Sequence, residues 1–310
     1  MIISASRRSD IPAFYSEWLM NRVKDGFCTV PNPFNSRQVA RVSLEPEDVD
    51  AIVFWTRNPR PLMSSLAELD KRGFRYYFHF TLLGYPRFLD KNSPPLENSI
   101  ENFRILSSVV GANRVIWRYD PIVITPRTNI SYHLDNFEQI ADSLRDHTNK
   151  CVISLVDIYR KIKRRLRELN SSGDQIIEPG ALGDNQFDSL IRGITGLGKK
   201  YGLMVTSCAE SVDLTPYGIH PGKCVDPVLL QNEFNIRVPM RKDPGQRDTC
   251  ACAVSKDIGM YDSCLYGCQY CYATSSFSRA RDNFAAHDPS SPSLLGWHEA
   301  DHVPMGSRGV

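Results

Sequence analysis

Short apolar runs alternate with longer amphipathic stretches over the first two thirds of this 310-residue chain. The short runs have the length of buried strands, and the longer stretches repeat apolar residues at the three- and four-residue steps of a helix. The predicted strands are residues 2–6, 51–55, 76–83, 115–124, 151–156 and 203–208, with a weaker one at 27–30. The predicted helices are residues 13–25, 61–72, 98–110, 132–146 and 186–201.

Alternating strands and helices predict parallel β/α units with right-handed crossovers, in a barrel or an open sheet. Six or seven units are close to a complete or partial TIM-like (β/α) barrel, which we predict over residues 1–210. Polar residues stand where the predicted strands end, the rim on which barrels build active sites, although such residues also cap helices. They are Arg7, Arg8, Asp10, Thr56, Arg57, Asn58, His79, Thr81, Arg118, Asp120, Asp157 and Glu210.

The alternation fades after residue 210, where proline and glycine interrupt the chain repeatedly. We therefore predict that residues 211–286 form a loop-rich, cysteine-containing segment that closes over the barrel mouth, with one helix at 274–286. Loop-rich regions of this size usually need a metal or another cross-link for stability. Residues 287–310, rich in Ser, Pro and His, predict a flexible tail.

The composition limits the classes of protein to which this chain can belong. A net charge of +2 gives no global indication of nucleic-acid binding, so any basic surface must be local. No apolar run approaches the roughly 20 residues that span a bilayer, and no export signal is apparent, so we expect a cytoplasmic protein without membrane contact. Nine cysteines in such a chain should stay reduced.

Three cysteines carry the clearest chemical pattern. Cys264, Cys268 and Cys271 have C-x3-C-x2-C spacing, and the aromatic Tyr270 directly precedes the last of them. Three thiolates on one short loop can hold three irons of a 4Fe–4S cluster and leave the fourth iron open to a substrate or cofactor. The alternative is structural zinc, which requires a closed set of four ligands.

Four further cysteines make a candidate second metal site. Cys208 ends a predicted strand beside Glu210, Cys224 follows in the loop-rich segment, and Cys250 and Cys252 precede the three-cysteine motif. Four thiolates can hold a second 4Fe–4S cluster, which would relay electrons or bind substrate, or they can hold structural zinc. Unligated buried thiols are the third alternative.

Cys28 and Cys151 stand alone in apolar surroundings. We expect each of them to be an ordinary buried side chain without a ligand.

A basic segment follows the predicted strand at 151–156. Its six cations could bind the phosphates of a nucleotide or nucleic acid, or could form the solvated face of a helix. On the rim, Arg118 and Asp120 could bind a cofactor or substrate, or could simply tie loops together. The six cations are Arg160, Lys161, Lys163, Arg164, Arg165 and Arg167.

The chain resembles the bacterial family "domain of unknown function 1848". The resemblance extends over most of the chain, and its cysteine motif is similar to that of radical S-adenosylmethionine (SAM) enzymes. The barrel of the family is distantly similar to that of DNA photoproduct lyases. The segments that carry the resemblance are residues 3–15, 31–35, 54–59, 117–122, 208–210, 250–252, 257–259 and 270–273.

The resemblance implies that Cys264, Cys268 and Cys271 ligate a cluster whose open iron binds SAM. A reducing partner such as flavodoxin or ferredoxin would supply an electron, SAM would give methionine and a 5′-deoxyadenosyl radical, and that radical would abstract hydrogen from a substrate. It further implies that Tyr270 lies against the adenine, and we place Arg118, Asp120 and Glu210 among the candidate cofactor contacts.

One departure from the radical SAM pattern is the position of the cysteine loop, which there follows the first barrel strand and here lies near residue 270. Either the segment folds back over the barrel mouth, or the barrel is circularly permuted and residues 256–261 lead into the loop. The leading hypothesis is a radical SAM enzyme whose substrate is unknown, with nucleic acid or a nucleotide as one candidate. The rival is a non-catalytic, zinc-stabilised nucleic-acid-binding protein.

Overall fold

The computed structural model describes residues 1–159 and 162–300, and a parallel sheet of eight strands lies at its centre. The strands are β1 (Ile2–Ala5), β2 (Phe27–Asn32), β3 (Asn35–Ser43), β4 (Ala51–Thr56), β5 (Tyr76–Thr81), β6 (Val115–Ile122), β7 (Lys150–Leu155), β8 (Met204–Ser207), β9 (His220–Pro221) and β10 (Lys256–Asp257). The helices are α1 (Ile11–Phe14), α2 (Ser16–Asp25), α3 (Arg60–Met63), α4 (Leu66–Lys71), α5 (Leu96–Val110), α6 (Ile130–Ser143), α7 (Lys163–Ser171), α8 (Asp184–Lys200), α9 (Pro227–Phe234) and α10 (Phe277–Ala285).

The strand order in the sheet is β10-β1-β4-β5-β6-β7-β8-β9, and β2 pairs with β3 in a separate antiparallel hairpin. The predicted α/β class with parallel strands is confirmed. The sheet ends at β10 and β9, so the part of the chain that the structure describes forms an open sheet, and the complete form of the predicted barrel is not found.

The two faces of the sheet have different partners because side chains alternate along a strand. Phe54, Phe78 and Trp117 belong to the larger core, which includes buried residues of the helices. Neighbouring strand residues on the opposite face, such as Val53 and Tyr77, pack against Cys224, Val225, Leu230 and Cys252. The loop-rich segment therefore fills one face of the sheet, which explains why the strands are apolar on both sides.

The segment after residue 254 joins the sheet edge. Strand β10 pairs in parallel with β1, with Ile3 opposite Lys256 and Ser4 opposite Asp257. Strand β10 therefore extends the sheet beyond β1, and residues 256–261 lead directly into the cysteine loop, as the permuted arrangement predicts. At Gly259 the backbone comes so close to β1 that an added Cβ would lie 2.0 Å from Ser6 Oγ.

The Asp257 carboxylate fastens this added strand. It accepts hydrogen bonds from Ser4 Oγ at 2.8 Å, from Ser6 Oγ at 2.7 Å and from the Arg7 backbone N–H at 2.8 Å. Arg8 Nε forms an ion pair with it at 3.1 Å, and both side chains are more than four-fifths buried. One carboxylate thus holds the end of β1 and the chain entering the cysteine loop in a single geometry.

Residues near the start of the predicted tail contact the hairpin and α2. Trp18 Nε1 donates to the Ser291 carbonyl at 2.9 Å, and the Thr29 N–H donates to the Pro292 carbonyl at 2.8 Å. Ser291, Ser293 and Leu294 are buried, and residues 301–310 lie outside the described part of the chain. No helix within the described part has the length and apolar character that a membrane span requires.

Asp257→Asn should lower the free energy of unfolding by about 2 kcal/mol, because it leaves the Arg8 charge without its partner in a largely buried site. Urea denaturation measures the effect. The control is Asp142→Asn, whose pair with Arg145 is more than half exposed on both sides; it should change stability by less than about 0.5 kcal/mol. Equal effects of the two substitutions would contradict the role assigned to Asp257.

The stabilisation by Asp257 should also disappear in acid. Burial alone would raise the pKa of Asp257, but the charge of Arg8 and the hydrogen bonds from Arg7 and Ser6 outweigh it and lower the pKa. The unfolded chain therefore takes up the proton first, so the stabilisation is complete above pH of about 4 and is lost as the pH falls through the native pKa. Urea unfolding at a series of pH values should show the difference between native protein and Asp257→Asn shrinking in acid; a constant difference would disprove this.

Candidate functional site

All seven cysteines of the last third of the chain line one cavity of about 420 Å³. The remaining lining comes mostly from the residues at or after the ends of β1, β4, β6 and β7, which the sequence had singled out as rim residues. The volume suits a small organic ligand. The predicted rim residues that line this cavity are Arg7, Arg8, Asp10, Thr56, Arg57, Thr81, Arg118, Asp120 and Asp157.

The loop that carries Cys264, Cys268 and Cys271 is held from two sides. Arg165 donates to the Cys268 carbonyl at 3.3 Å and to the Cys271 carbonyl at 2.5 Å. Asn92 donates from its side chain to the Leu265 carbonyl at 2.8 Å. These contacts go to backbone atoms, and none of the three thiols is in a disulfide; Cys271 Sγ lies 3.9 Å from Thr274 Oγ1.

Asp262 joins the two ends of the same loop by hydrogen bonds. Its backbone N–H donates to the Ala273 carbonyl at 3.0 Å, and its carboxylate accepts hydrogen bonds from the Ser275 hydroxyl at 2.7 Å and the Ser276 N–H at 3.2 Å. Arg279 lies 3.2 Å from the same carboxylate. Because Asp262 is buried, these bonds fix both ends of the loop relative to α10.

Tyr270 belongs to a buried polar triad. Its hydroxyl donates to Asp90 Oδ1 at 2.6 Å and accepts from Arg57 Nη2 at 2.6 Å, while Arg57 Nη1 contacts Asp90 Oδ2 at 2.6 Å. The hydroxyl is thus fully engaged, and the ring and backbone are the parts of Tyr270 left to face the cavity. Asp90, Asn92 and Asp262, which support the site, are not among the predicted site residues, because single polar residues in loops follow no sequence pattern.

The four other cysteines come together at the opposite wall of the cavity. Cys208 Sγ and Cys224 Sγ lie 3.6 Å apart, and Cys252 Sγ accepts hydrogen bonds from the backbone N–H groups of Cys224 at 3.2 Å and Val225 at 3.5 Å. We call Cys208, Cys224, Cys250 and Cys252 the four-cysteine group.

Arg118 and Asp120, two of the candidate cofactor contacts, are engaged with this group. Arg118 Nη1 donates to Cys224 Sγ at 2.8 Å, Nη2 lies 3.6 Å from Cys208 Sγ, and the guanidinium pairs with Asp120. Asp120 also accepts a hydrogen bond from Ser154. Glu210, the third candidate, is not among the lining residues; it accepts from the Leu155 N–H at 2.8 Å, and burial raises its pKa to about 7.

The two sets of cysteines differ in electrostatics. Burial raises the pKa of Cys264 and of Cys268 above the ordinary value of a thiol. In the four-cysteine group, the hydrogen bond from Cys224 and the charge of Arg118 lower the pKa of Cys208 to about 6, and thiol hydrogen bonds lower the pKa of Cys252. Interaction with the neighbouring thiols, together with burial, raises the pKa of Cys224 and of Cys250. Two members of the group are thus favoured as thiolates and two as neutral thiols.

The cavity also presents buried polar atoms without a protein partner. They include Arg7 Nη2, Ser9 Oγ and Tyr266 OH, and all three residues line the cavity. Because such atoms are costly unless a ligand or water satisfies them, they fit a polar cofactor beside the cysteine loop. Within residues 1–159 and 162–300, no group of three or more Cys, His, Asp or Glu side chains converges closely enough to hold a metal ion as it stands.

The basic segment is only partly available to a partner. Lys163, Arg164 and Arg167 are exposed on α7, whereas the Arg165 side chain is 5% exposed and supports the cysteine loop. Arg165 is therefore removed from the predicted nucleic-acid contacts, because its guanidinium faces inward. Arg160 and Lys161 lie outside the described residues.

Fold and site together define an α/β protein with a cysteine-lined cavity at the carboxyl ends of its parallel strands. The family model "Domain of unknown function (DUF1848)" matches residues 2–273, so the chain belongs to this family. A search of curated proteins finds no match.

Solved structures give only distant similarities. An L-hydantoinase (dihydropyrimidinase) from Arthrobacter aurescens is 11% identical with a TM-score of 0.27, over 54% of this chain and 37% of that one. A Bacteroides thetaiotaomicron protein assigned as an alpha-L-fucosidase is 16% identical with a TM-score of 0.24, over 55% of this chain and 66% of that one. The chain thus spans less than two thirds of either protein.

Arg165→Met should destabilise the cysteine loop, because two carbonyls lose a charged donor. We expect a loss of about 2 kcal/mol in the free energy of unfolding and faster amide hydrogen exchange in residues 264–272. Arg167→Met, on the exposed face of the same helix, is the matched control and should leave both measurements nearly unchanged. If exchange in the loop is the same in the two variants, Arg165 does not hold it.

Proposed function

We propose that this protein is a radical SAM enzyme. The proposal rests on the position of Cys264, Cys268 and Cys271. These three thiols belong to one loop whose backbone is held by hydrogen bonds, and they line a cavity at the carboxyl ends of parallel strands. Three protein ligands leave the fourth iron of a 4Fe–4S cluster without a protein ligand, and the cavity provides space for a cofactor beside that iron. A closed structural zinc site would need a fourth ligand at this loop.

The protein's own residues would position the cofactors. The three thiolates would hold the cluster, while Arg165 and Asn92 fix the loop through its carbonyls. When bound, the 4Fe–4S cluster and SAM would supply a 5′-deoxyadenosyl radical that removes a hydrogen atom from a substrate carbon. Tyr270, held by Arg57 and Asp90, would form a rigid wall that keeps water from the site.

The unpartnered polar atoms at the cavity are the best candidates for SAM contacts. Arg7 Nη2 is a buried cationic donor suited to the SAM carboxylate, and the Ser9 and Tyr266 hydroxyls suit its ribose or amino groups. Arg118 and Asp120 are less suited, since both are engaged at the four-cysteine group. Lys163, Arg164 and Arg167 remain the candidate positions for a phosphate-containing substrate, nucleotide or nucleic acid.

The test is anaerobic reconstitution of the protein with iron and sulfide, followed by addition of a reductant and SAM. Native protein should bind about four irons at this loop and form 5′-deoxyadenosine. The variant with Cys264, Cys268 and Cys271 all changed to Ala should lose those irons and form no 5′-deoxyadenosine. Cys28→Ala, which alters a thiol buried in β2 outside the cavity, should behave like native protein.

Circular dichroism of native protein and of the two variants shows whether a loss of iron or activity comes from a loss of fold. A native protein that holds zinc but no iron after reconstitution, and that leaves SAM intact, would overturn the proposal. In that event, binding of DNA or RNA oligonucleotides by native protein and by Lys163→Ala would test the rival interpretation as a zinc-stabilised nucleic-acid-binding protein.

A further inference from the structure

We propose that the four-cysteine group binds a single tetrahedral zinc ion and not a second iron–sulfur cluster. The group comprises thiols from three separate parts of the chain: Cys208 after β8, Cys224 after β9, and Cys250 with Cys252 before β10. This assignment does not depend on radical SAM chemistry, since it concerns the opposite wall of the cavity.

The distance between sulfurs favours one metal ion. Zn–S bonds of about 2.3 Å in a tetrahedron place neighbouring sulfurs about 3.8 Å apart. Cys208 Sγ and Cys224 Sγ already lie 3.6 Å apart, which matches the edge of that tetrahedron. In a 4Fe–4S cluster each thiolate binds a different corner iron, so the cluster separates the sulfurs well beyond direct contact.

The position of Cys252 adds to this distance. Its sulfur accepts hydrogen bonds from the backbone N–H groups of Cys224 at 3.2 Å and Val225 at 3.5 Å, which places a third sulfur beside Cys224. Cys208, Cys224 and Cys252 therefore already lie close together, as ligands of a single ion must.

The four sulfurs do not yet enclose a point. Cys208 Sγ contacts Cys224 Sγ, and Cys252 Sγ contacts the backbone of Cys224. Closing the set requires Cys208 and Cys250 to turn their side chains towards Cys224 and Cys252. Each thiol that binds zinc releases its proton to solvent.

The surroundings of the group match those of a zinc tetrathiolate. Four thiolates around Zn²⁺ carry a net charge of −2, and the Arg118 guanidinium contacts two of the sulfurs. The Cys224 carbonyl accepts from Tyr77 OH at 2.5 Å and from His79 Nε2 at 2.8 Å, which fixes the backbone of that ligand. Such outer contacts orient metal ligands and raise affinity.

Four protein ligands leave no open position on the metal, so the zinc would be structural. It would connect the end of β8 with the segment that fills one face of the sheet and with the chain that enters β10. Since β10 leads into the three-cysteine loop, the ion would fix one wall of the cavity relative to the other. Zinc removal should therefore loosen the cavity before it unfolds the helices.

The experiment uses the full chain with Cys264, Cys268 and Cys271 all changed to Ala, which removes the site of the proposed function. After reconstitution with iron, sulfide and zinc, metal analysis should find about one zinc per chain and little iron. Cobalt added to the zinc-free form should give the absorption of a tetrahedral tetrathiolate at one equivalent. Adding Cys224→Ser and Cys252→Ser to this variant should abolish zinc retention, whereas adding Cys28→Ser should not.

Three results would overturn the zinc site. They are about four irons held by the triple-Ala variant, absence of any bound metal, or a disulfide between Cys208 and Cys224 found by mass spectrometry in metal-free protein. If the serine variants do not fold, the zinc content and cobalt spectrum of the triple-Ala variant decide alone. A failure of radical SAM activity in native protein leaves these measurements unaffected, so the two proposals fail separately.

Discussion

The ion pair and hydrogen bonds of Asp257 are the interaction on which the site depends. The cysteine loop lies more than 250 residues from the first strand in the sequence, and it reaches the cavity only because β10 adds to β1 in parallel. A two-residue strand contributes few backbone hydrogen bonds. The carboxylate supplies the rest by binding two serines, a backbone N–H and Arg8 in a largely buried position. Gly259 permits the close approach that this arrangement needs.

Two groups of cysteines line the same cavity, and the protein holds each of them in a different way. The loop of Cys264, Cys268 and Cys271 is fixed through its backbone, which leaves the thiols available. The four-cysteine group is fixed through its sulfurs, which contact each other and Arg118. Free thiols suit a cofactor that must leave a position open, and mutually satisfied thiols suit a cross-link within a segment that has little regular structure.

The sequence predicts the parallel strands well because their apolar runs are buried on both faces, and β1 and β4–β8 lie within or close to the predicted ranges. It does not predict β3, whose residues are largely polar, or β9 and β10, which are two residues long. The spacing of Cys264, Cys268 and Cys271 identifies their loop. Nothing local in the sequence distinguishes Arg165 from the exposed Arg164 and Arg167, because its burial depends on a loop about 100 residues away.

The pairing of β1 with β10 has a consequence for how the molecule is made. Until residue 257 has left the ribosome, the outer edge of β1 lacks its neighbour, and Arg8 lacks its carboxylate. Contacts of such long sequence separation form late in folding because their loop-closure entropy is large. The helices and central strands can therefore assemble during synthesis, while the cysteines that line the cavity come together in the final stage. A ligand that needs both sets of cysteines in place can accordingly bind only after nearly the whole chain has been translated.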